Sequence, residues 1–223
     1  VNSSAASDVY KRQLAEGTDA PTADLALRFH AESRELSSAH KIALVDIMMP
    51  TLRGLSVEEW DRFRVAIDAL MRSDRHIDLF EYTLSRMIQR HLARFFDERG
   101  PTAVQHRSLK RLQPDARVLL STLARTGSRN EEEATIAFRH GVHTLPLRGE
   151  AARLLPTSRC TLAAVDEALA RYDAATPALK RSLMLACASA VMADDRVTDS
   201  EAELLRAIGD GLDCPVPPFV QSR

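Results

Sequence analysis

SDRHIDLFEYTLSRMI, residues Ser73 to Ile88, and ADDRVTDSEAELLRAI, residues Ala193 to Ile208, follow one plan at an offset of 120 residues. Asp74 falls on Asp194, Ile77 on Val197, Glu81 on Glu201, Leu84 on Leu204 and Ile88 on Ile208 without a gap. After each acidic turn the apolar residues recur three and four apart, the period of one helix face rather than the alternation of a strand. The same offset carries Ser56 onto Thr176, Phe63 onto Leu183, Ile67 onto Cys187 and Met71 onto Val191. The repeated unit is a capped helix, a tight acidic turn and a second capped helix.

The turns have a local physical logic. Asp78 with Glu81, and Thr198 with Glu201, have the spacing of a capping box, in which the first side chain accepts from the third helical N–H and the Glu reaches back. Ile77 and Val197, just before those caps, can pack on Tyr82 and Ala202 one turn in. Ser56 and Thr176 are placed to cap the preceding helices, Pro177 suits a first helical position, and Gly127 and Gly141 are placed to end helices. The Ser128-Arg129-Asn130-Glu131 run fits a further capping box, opening a helix through Ala137 and Phe138, and another helix is expected around Leu162, Val165 and Leu169. No segment alternates with period two. The expectation is an all-α, multi-helix bundle of about eight to ten helices containing two pseudo-repeated hairpins.

Composition agrees with that class. Of 223 residues 45% are hydrophobic and only 8 are Gly and 10 Pro, too few turn formers for many short strands. Thirty Lys and Arg against 31 Asp and Glu leave a net charge of -1, so no overall basic field draws the chain to nucleic acid. Clusters such as Lys110 with Arg111 and Lys180 with Arg181 are short and carry no interleaved aromatics, and no nucleic-acid partner is expected. Cys160, Cys187 and Cys214 are too few and too scattered for a disulfide framework. The most apolar stretch, Leu183 to Ala193, falls far short of the roughly 20 residues that cross a bilayer, and reads as a buried helix.

The expected organisation is an N-terminal helical group over residues 14–98, a connection over 99–114, a C-terminal group over 115–213 and a proline-stiffened tail over 214–223. Residues 1–13 begin with Val, lack helical or strand periodicity and resemble an adapter-derived translation, so they are expected to be non-native or disordered, with the coding frame cut upstream.

The best candidates for chemistry are the acidic turns. Asp74 and Glu81 in one copy, and Asp194 and Glu201 in the other, offer the hard oxygen ligands of a divalent cation. They lack the spacing and the turn glycine of an EF-hand loop, and Arg75 and Arg196 beside them offset the negative charge that a cation needs. Helix capping is the preferred role, with Ser56, Asp78, Thr176 and Thr198 as the capping residues, because acidic groups at helix N-termini are favourable without any metal. His140 and His143 form a His-x-x-His pair with no third ligand at spacing, and His91 reads as a boundary residue. There is no His-Glu-x-x-His, no Gly-x-Ser-x-Gly and no glycine-rich phosphate loop in the chain, so no catalytic residue is assigned.

At the two turns the sequence resembles the TerB-like helical domain named after tellurite-resistance proteins, whose hallmark is an Ala-Asp-Gly-x-Val/Ile-x-x-x-Glu turn between paired helices. SDRHIDLFE and ADDRVTDSE match it except at the Gly position, filled by Arg75 and Asp195. That departure removes easy access to left-handed backbone and weakens any ancestral metal site. A longer resemblance runs through LVDIMMPTLRGLSVEEWDRFRVAIDALM, IDLFEYTLSRMIQRHL and LMLACASAVMADDRVTDSEAELLRAI, with the closing LDCPVPP, covering nearly all of residues 20–220. These strings are similar to the region that follows the protease domain in bacterial membrane zinc metallopeptidases of the CAAX prenyl endoprotease and heat-shock protease class. The resemblance implies a non-catalytic regulatory or interaction region, with no cofactor of its own and with zinc held by the parent protein. It further implies a protease domain in cis as partner, room for a further protein partner, and a soluble, cytoplasm-facing portion of a membrane protein. The alternative is a stand-alone TerB-like cation-sensing or stress-response protein.

Overall fold

The computed structural model describes residues 20–33, 36, 38–73, 79–96 and 103–214. Among these the chain is all-helical, as the periodicity predicts, with nine α-helices in order: α1 Ala20–Ser33, α2 Ser38–Leu52, α3 Val57–Ser73, α4 Leu79–Phe96, α5 Gln113–Gly127, α6 Glu131–Thr144, α7 Leu162–Asp173, α8 Pro177–Val191 and α9 Asp199–Gly211. The chain divides into two compact units, residues 1–98 and 99–223. The starts of α3 and α8, and of α4 and α9, lie 120 residues apart, the offset of the sequence repeat. That correspondence is one of helix register alone.

In the first unit α3 opens with a complete capping box. Ser56 N–H donates to the Glu59 carboxylate at 2.8 Å while Glu59 N–H donates to Ser56 Oγ at 3.2 Å. The box aims Trp60, 2% exposed, into a core with Met49 of α2 and Leu92 of α4. Phe96 stacks on the indole at 5.5 Å between ring centroids, and burying so large a ring gives this small core much of its apolar area. Gln89 of α4 donates to the Asp68 carboxylate of α3 at 2.8 Å, tying the hairpin together beyond its turn. Phe95 is 59% exposed and meets Phe96 edge-on, and Leu92 holds the inward position.

The second unit is built round α5. Leu119, Leu120, Ser121, Leu123 and Ala124 are all buried, and α6, α7, α8 and α9 each pack against this helix. Its polar edge is used as well. Gln113, Arg117, Ser121 and Arg125 recur every fourth residue, so their side chains stand in a row. Gln113 and Ser121 accept from the N–H groups of Arg148 and Leu155 respectively, while Arg117 donates to the Arg153 carbonyl and Arg125 to the Leu155 carbonyl, both at 2.6 Å. Four side chains of one helix thereby hold the α6–α7 loop, which contains two single 3-10 turns, Gly149–Ala152 and Thr157–Arg159.

Several boundaries differ from expectation for local reasons. Pro114, assigned to the connection, lies in the first turn of α5, where its missing N–H costs nothing. The N-cap of α6 is Asn130, which accepts from Glu133 N–H at 2.9 Å, and not Ser128, and the Glu133 carboxylate accepts from Arg129 N–H in place of a reciprocal box. Ser128 instead donates back to the Ala124 carbonyl at 2.6 Å and closes α5, while Glu131 takes a two-pronged ion pair from Arg125. Gly127 does end a helix, but Gly141 lies inside α6. A side chain there would come within 3.1 Å of the Ala186 carbonyl and 2.8 Å of Leu120, so Gly141 is a point of close helix approach to α8 and α5. Leu112 is buried, Leu109 half-buried and Val104 exposed in the stretch before α5.

Candidate functional site

Of the two acidic turns, Asp74 and Asp78 lie outside the described residues, and Glu81 stands in the first turn of α4. The second turn is described in full. After α8 the chain makes one 3-10 turn, Met192–Asp194, and Asp195 then adopts left-handed backbone at φ 57°, ψ 17°. This is the position that the TerB-like hallmark gives to glycine. Asp keeps the same conformation because a short polar side chain tolerates it better than other L residues do. Asp194 Oδ1 accepts the Arg196 N–H at 3.1 Å and fixes the exit of the turn.

Thr198 then caps α9. Its Oγ1 accepts from Glu201 N–H at 3.2 Å, and Glu201 Oε2 accepts from Thr198 N–H at 2.9 Å and from the Thr198 hydroxyl at 2.8 Å. Glu201 is 6% exposed, unusual for a carboxylate unless its oxygens are satisfied. Its other oxygen lies over Gly127 in the space that a Cβ would fill, so the end of α5 and the start of α9 fit together only because residue 127 has no side chain. At this turn Glu201 Oε2 already serves two donors of the helix end. Among the described residues no group of three or more His, Cys, Asp or Glu is placed to hold one.

The remaining candidates are dispersed. Thr176 accepts from Leu179 N–H at 3.4 Å and caps α8, with Pro177 at the first helical position. His140 and His143 lie on the exposed side of α6, which continues through Gly141 to Thr144, and the His140 carbonyl accepts from Ser189 Oγ. His91 lines an open cleft of about 250 Å³ between α2 and α4 with Asp46, Arg53, Pro50, Met49, Val45 and Met87. Cys187 is fully buried, which pushes its thiol up to about 12 and leaves it protonated and inert at neutral pH. Cys160 is half-buried, and the same desolvation raises it.

Two features carry more than the residues singled out from sequence. The Ser56 and Glu59 box is legible as Ser-x-x-Glu before an apolar run, a signal carried by Glu59 as much as by Ser56. The second is α2. Val45, Met49 and Leu52 turn inward to the Trp60 core, while Leu44, Ile47 and Met48, at i, i+3 and i+4, remain on the surface, Ile47 at 72% exposure. Leu25 and Phe29, one turn apart on α1, are exposed too. Among the described residues no helix is long and apolar enough to cross a membrane.

No protein family, curated protein or solved structure matches the chain.

Proposed function

We propose that this chain is a non-catalytic interaction region, the C-terminal helical part of a membrane-associated zinc metalloendopeptidase, and that its partner is the protease domain of the same polypeptide. The observation that carries the reading is the second apolar stripe of α2. A helix that needs only one face for its own core has no folding reason to present Leu44, Ile47 and Met48 to water. Contiguous apolar surface of this kind marks contact with another protein. The stripe falls in LVDIMMPTLRGL, the opening string of the metallopeptidase resemblance, which is why the partner is sought in cis. The parent enzyme's zinc would be held by that domain, where it would polarise water and the scissile carbonyl. The residues described here supply the docking face.

The alternative is a stand-alone TerB-like cation-sensing protein, in which Glu201 would bind the ion as well as cap α9. Extending the gene upstream is the deciding test. The expected result is a transmembrane region and a helix bearing His-Glu-x-x-His, followed by a later carboxylate ligand. A start codon within about 20 residues of Leu14, the span of a single membrane helix, or a soluble domain without that motif, overturns the proposal.

A further inference from the structure

We infer that His106, Asp115 and Tyr172 form a buried binding site for a single water molecule, which fastens the segment before α5 to the corner between α7 and α8. Three polar atoms at this corner, His106 Nδ1, Asp115 Oδ2 and Tyr172 Oη, are shielded from solvent and have no hydrogen-bond partner. Asp115 is 7% exposed and Tyr172 fully buried. His106 as a whole is half-buried. Buried polar atoms are nearly always satisfied, by protein or by ordered water, so three orphans on residues that the main chain draws together need a common explanation.

The main chain brings them together. His106 forms an isolated parallel bridge with Ala175: the N–H groups of Gln105 and His106 donate to the Ala174 carbonyl at 2.8 and 3.0 Å, and Thr176 N–H donates to the His106 carbonyl at 3.0 Å. Tyr172 stands one turn before this bridge, its carbonyl accepting from Ala175 N–H at 2.9 Å. Arg171, the preceding residue, reaches Asp115 Oδ1 at 3.3 Å and donates to the Arg111 carbonyl at 3.2 Å. One carboxylate oxygen is therefore engaged and the other faces inward. The charges register the same neighbourhood. Desolvation raises the Asp115 carboxyl against the opposing pull of Arg171 and His106, and burial with the nearby Cys187 and Asp115 raises the Tyr172 hydroxyl.

The chemistry of the three atoms suits water. Asp115 Oδ2 only accepts, the Tyr172 hydroxyl can donate, and His106 Nδ1 donates or accepts according to its tautomer. A water donates to the carboxylate, accepts from the phenol and completes a third bond with the imidazole, the number that buried waters ordinarily make. A cation is a poor alternative, since the Arg171 guanidinium already faces the only carboxylate in the cluster. Held in this way, the water joins α5, α7 and the 103–108 segment beside the direct Arg171–Asp115 ion pair.

The test is a high-resolution crystal structure of the intact chain, with the thermal midpoint of Tyr172→Phe beside it. Expected are one spherical density peak within hydrogen-bond distance of all three atoms, and a midpoint lowered by about 3 °C as one bond to that water is lost. Direct bonding of Tyr172 or His106 to Asp115 with no density between them, or a peak with the coordination of a metal ion, overturns the inference. So does a Tyr172→Phe variant with a raised midpoint, since that result means the hydroxyl was unpaired. If the variant does not fold, the density in the unmodified chain decides alone.

Discussion

At the scale of single residues, Asp195 carries a conformational cost that its neighbours absorb. Its φ of 57° lies where L side chains crowd the backbone, and the turn persists because Asp194 and the Thr198 box hold both sides of it. Asp195→Gly is expected to stabilise the chain by about 0.5 kcal/mol, the relief of strain less the added freedom of the unfolded chain, and Asp195→Val to cost more than about 1 kcal/mol. Urea denaturation of both variants checks the sign. A second expectation concerns pH. The Arg125 guanidinium holds Glu131 below the ordinary 4.5, so the folded state favours its ionised form. That contribution is present above the unfolded value and disappears as pH falls through the depressed folded one. Glu131→Gln should therefore lower the midpoint at neutral pH, and the difference from the parent chain should close on acidification. A difference that persists at low pH would assign the effect to packing and not to charge.

At the scale of elements, the ends of α5 and α9 behave as one device. Glu201 caps α9 and at the same time occupies the place of the missing Gly127 side chain. Glu201→Ala and Thr198→Ala are each expected to cost about 1 kcal/mol through loss of half the box. Gly127→Ala should cost a similar amount by displacing the carboxylate, although alanine is the better helix former. In the Glu201→Ala background the same change should become neutral or stabilising, because the obstruction is gone. A double-mutant cycle in urea measures this coupling, and additive costs would sink it. The pairing is between residues 74 apart, so neither helix end announces it in the sequence. What was legible there is the Thr198 and Glu201 spacing, since a capping box is a local motif. The same limit explains Gly141. Its neighbours in sequence suit a helix end, and only Ala186 of α8 and Leu120 of α5 show that the missing Cβ is a matter of packing.

At the scale of the molecule, the two units differ in how they use their helices. In the second unit α5 is covered on its apolar sides and tied along its polar edge to residues 148–155, so nearly every part of its circumference has a structural role. In the first unit α2 has a face to spare. Ile47→Glu and Met48→Glu are expected to change stability by less than about 0.5 kcal/mol, since neither side chain is part of the core, and, on the proposed function, to abolish association with a protease domain. Met49→Glu should unfold the unit by placing a charge beside Trp60 and Leu92. Copurification of co-expressed protease domain with each stable variant checks the interface. Undiminished binding by Ile47→Glu and Met48→Glu would remove α2 as the docking face.

By itself the sequence determined the helical class, the register of α3 with α8 and of α4 with α9, and the caps at Ser56, Thr176 and Thr198, because periodicity and capping act within a few residues along the chain. Tertiary structure alone decided the rest. It placed Glu201 against Gly127, moved the α6 cap from Ser128 to Asn130 by engaging Ser128 and Glu131 with α5, and left one stripe of α2 uncovered. It also brought His106, Asp115 and Tyr172 to one corner. These are contacts between residues far apart along the chain, and the energy of each depends on which surfaces meet and how much water they exclude. No window of sequence a few turns long contains that quantity.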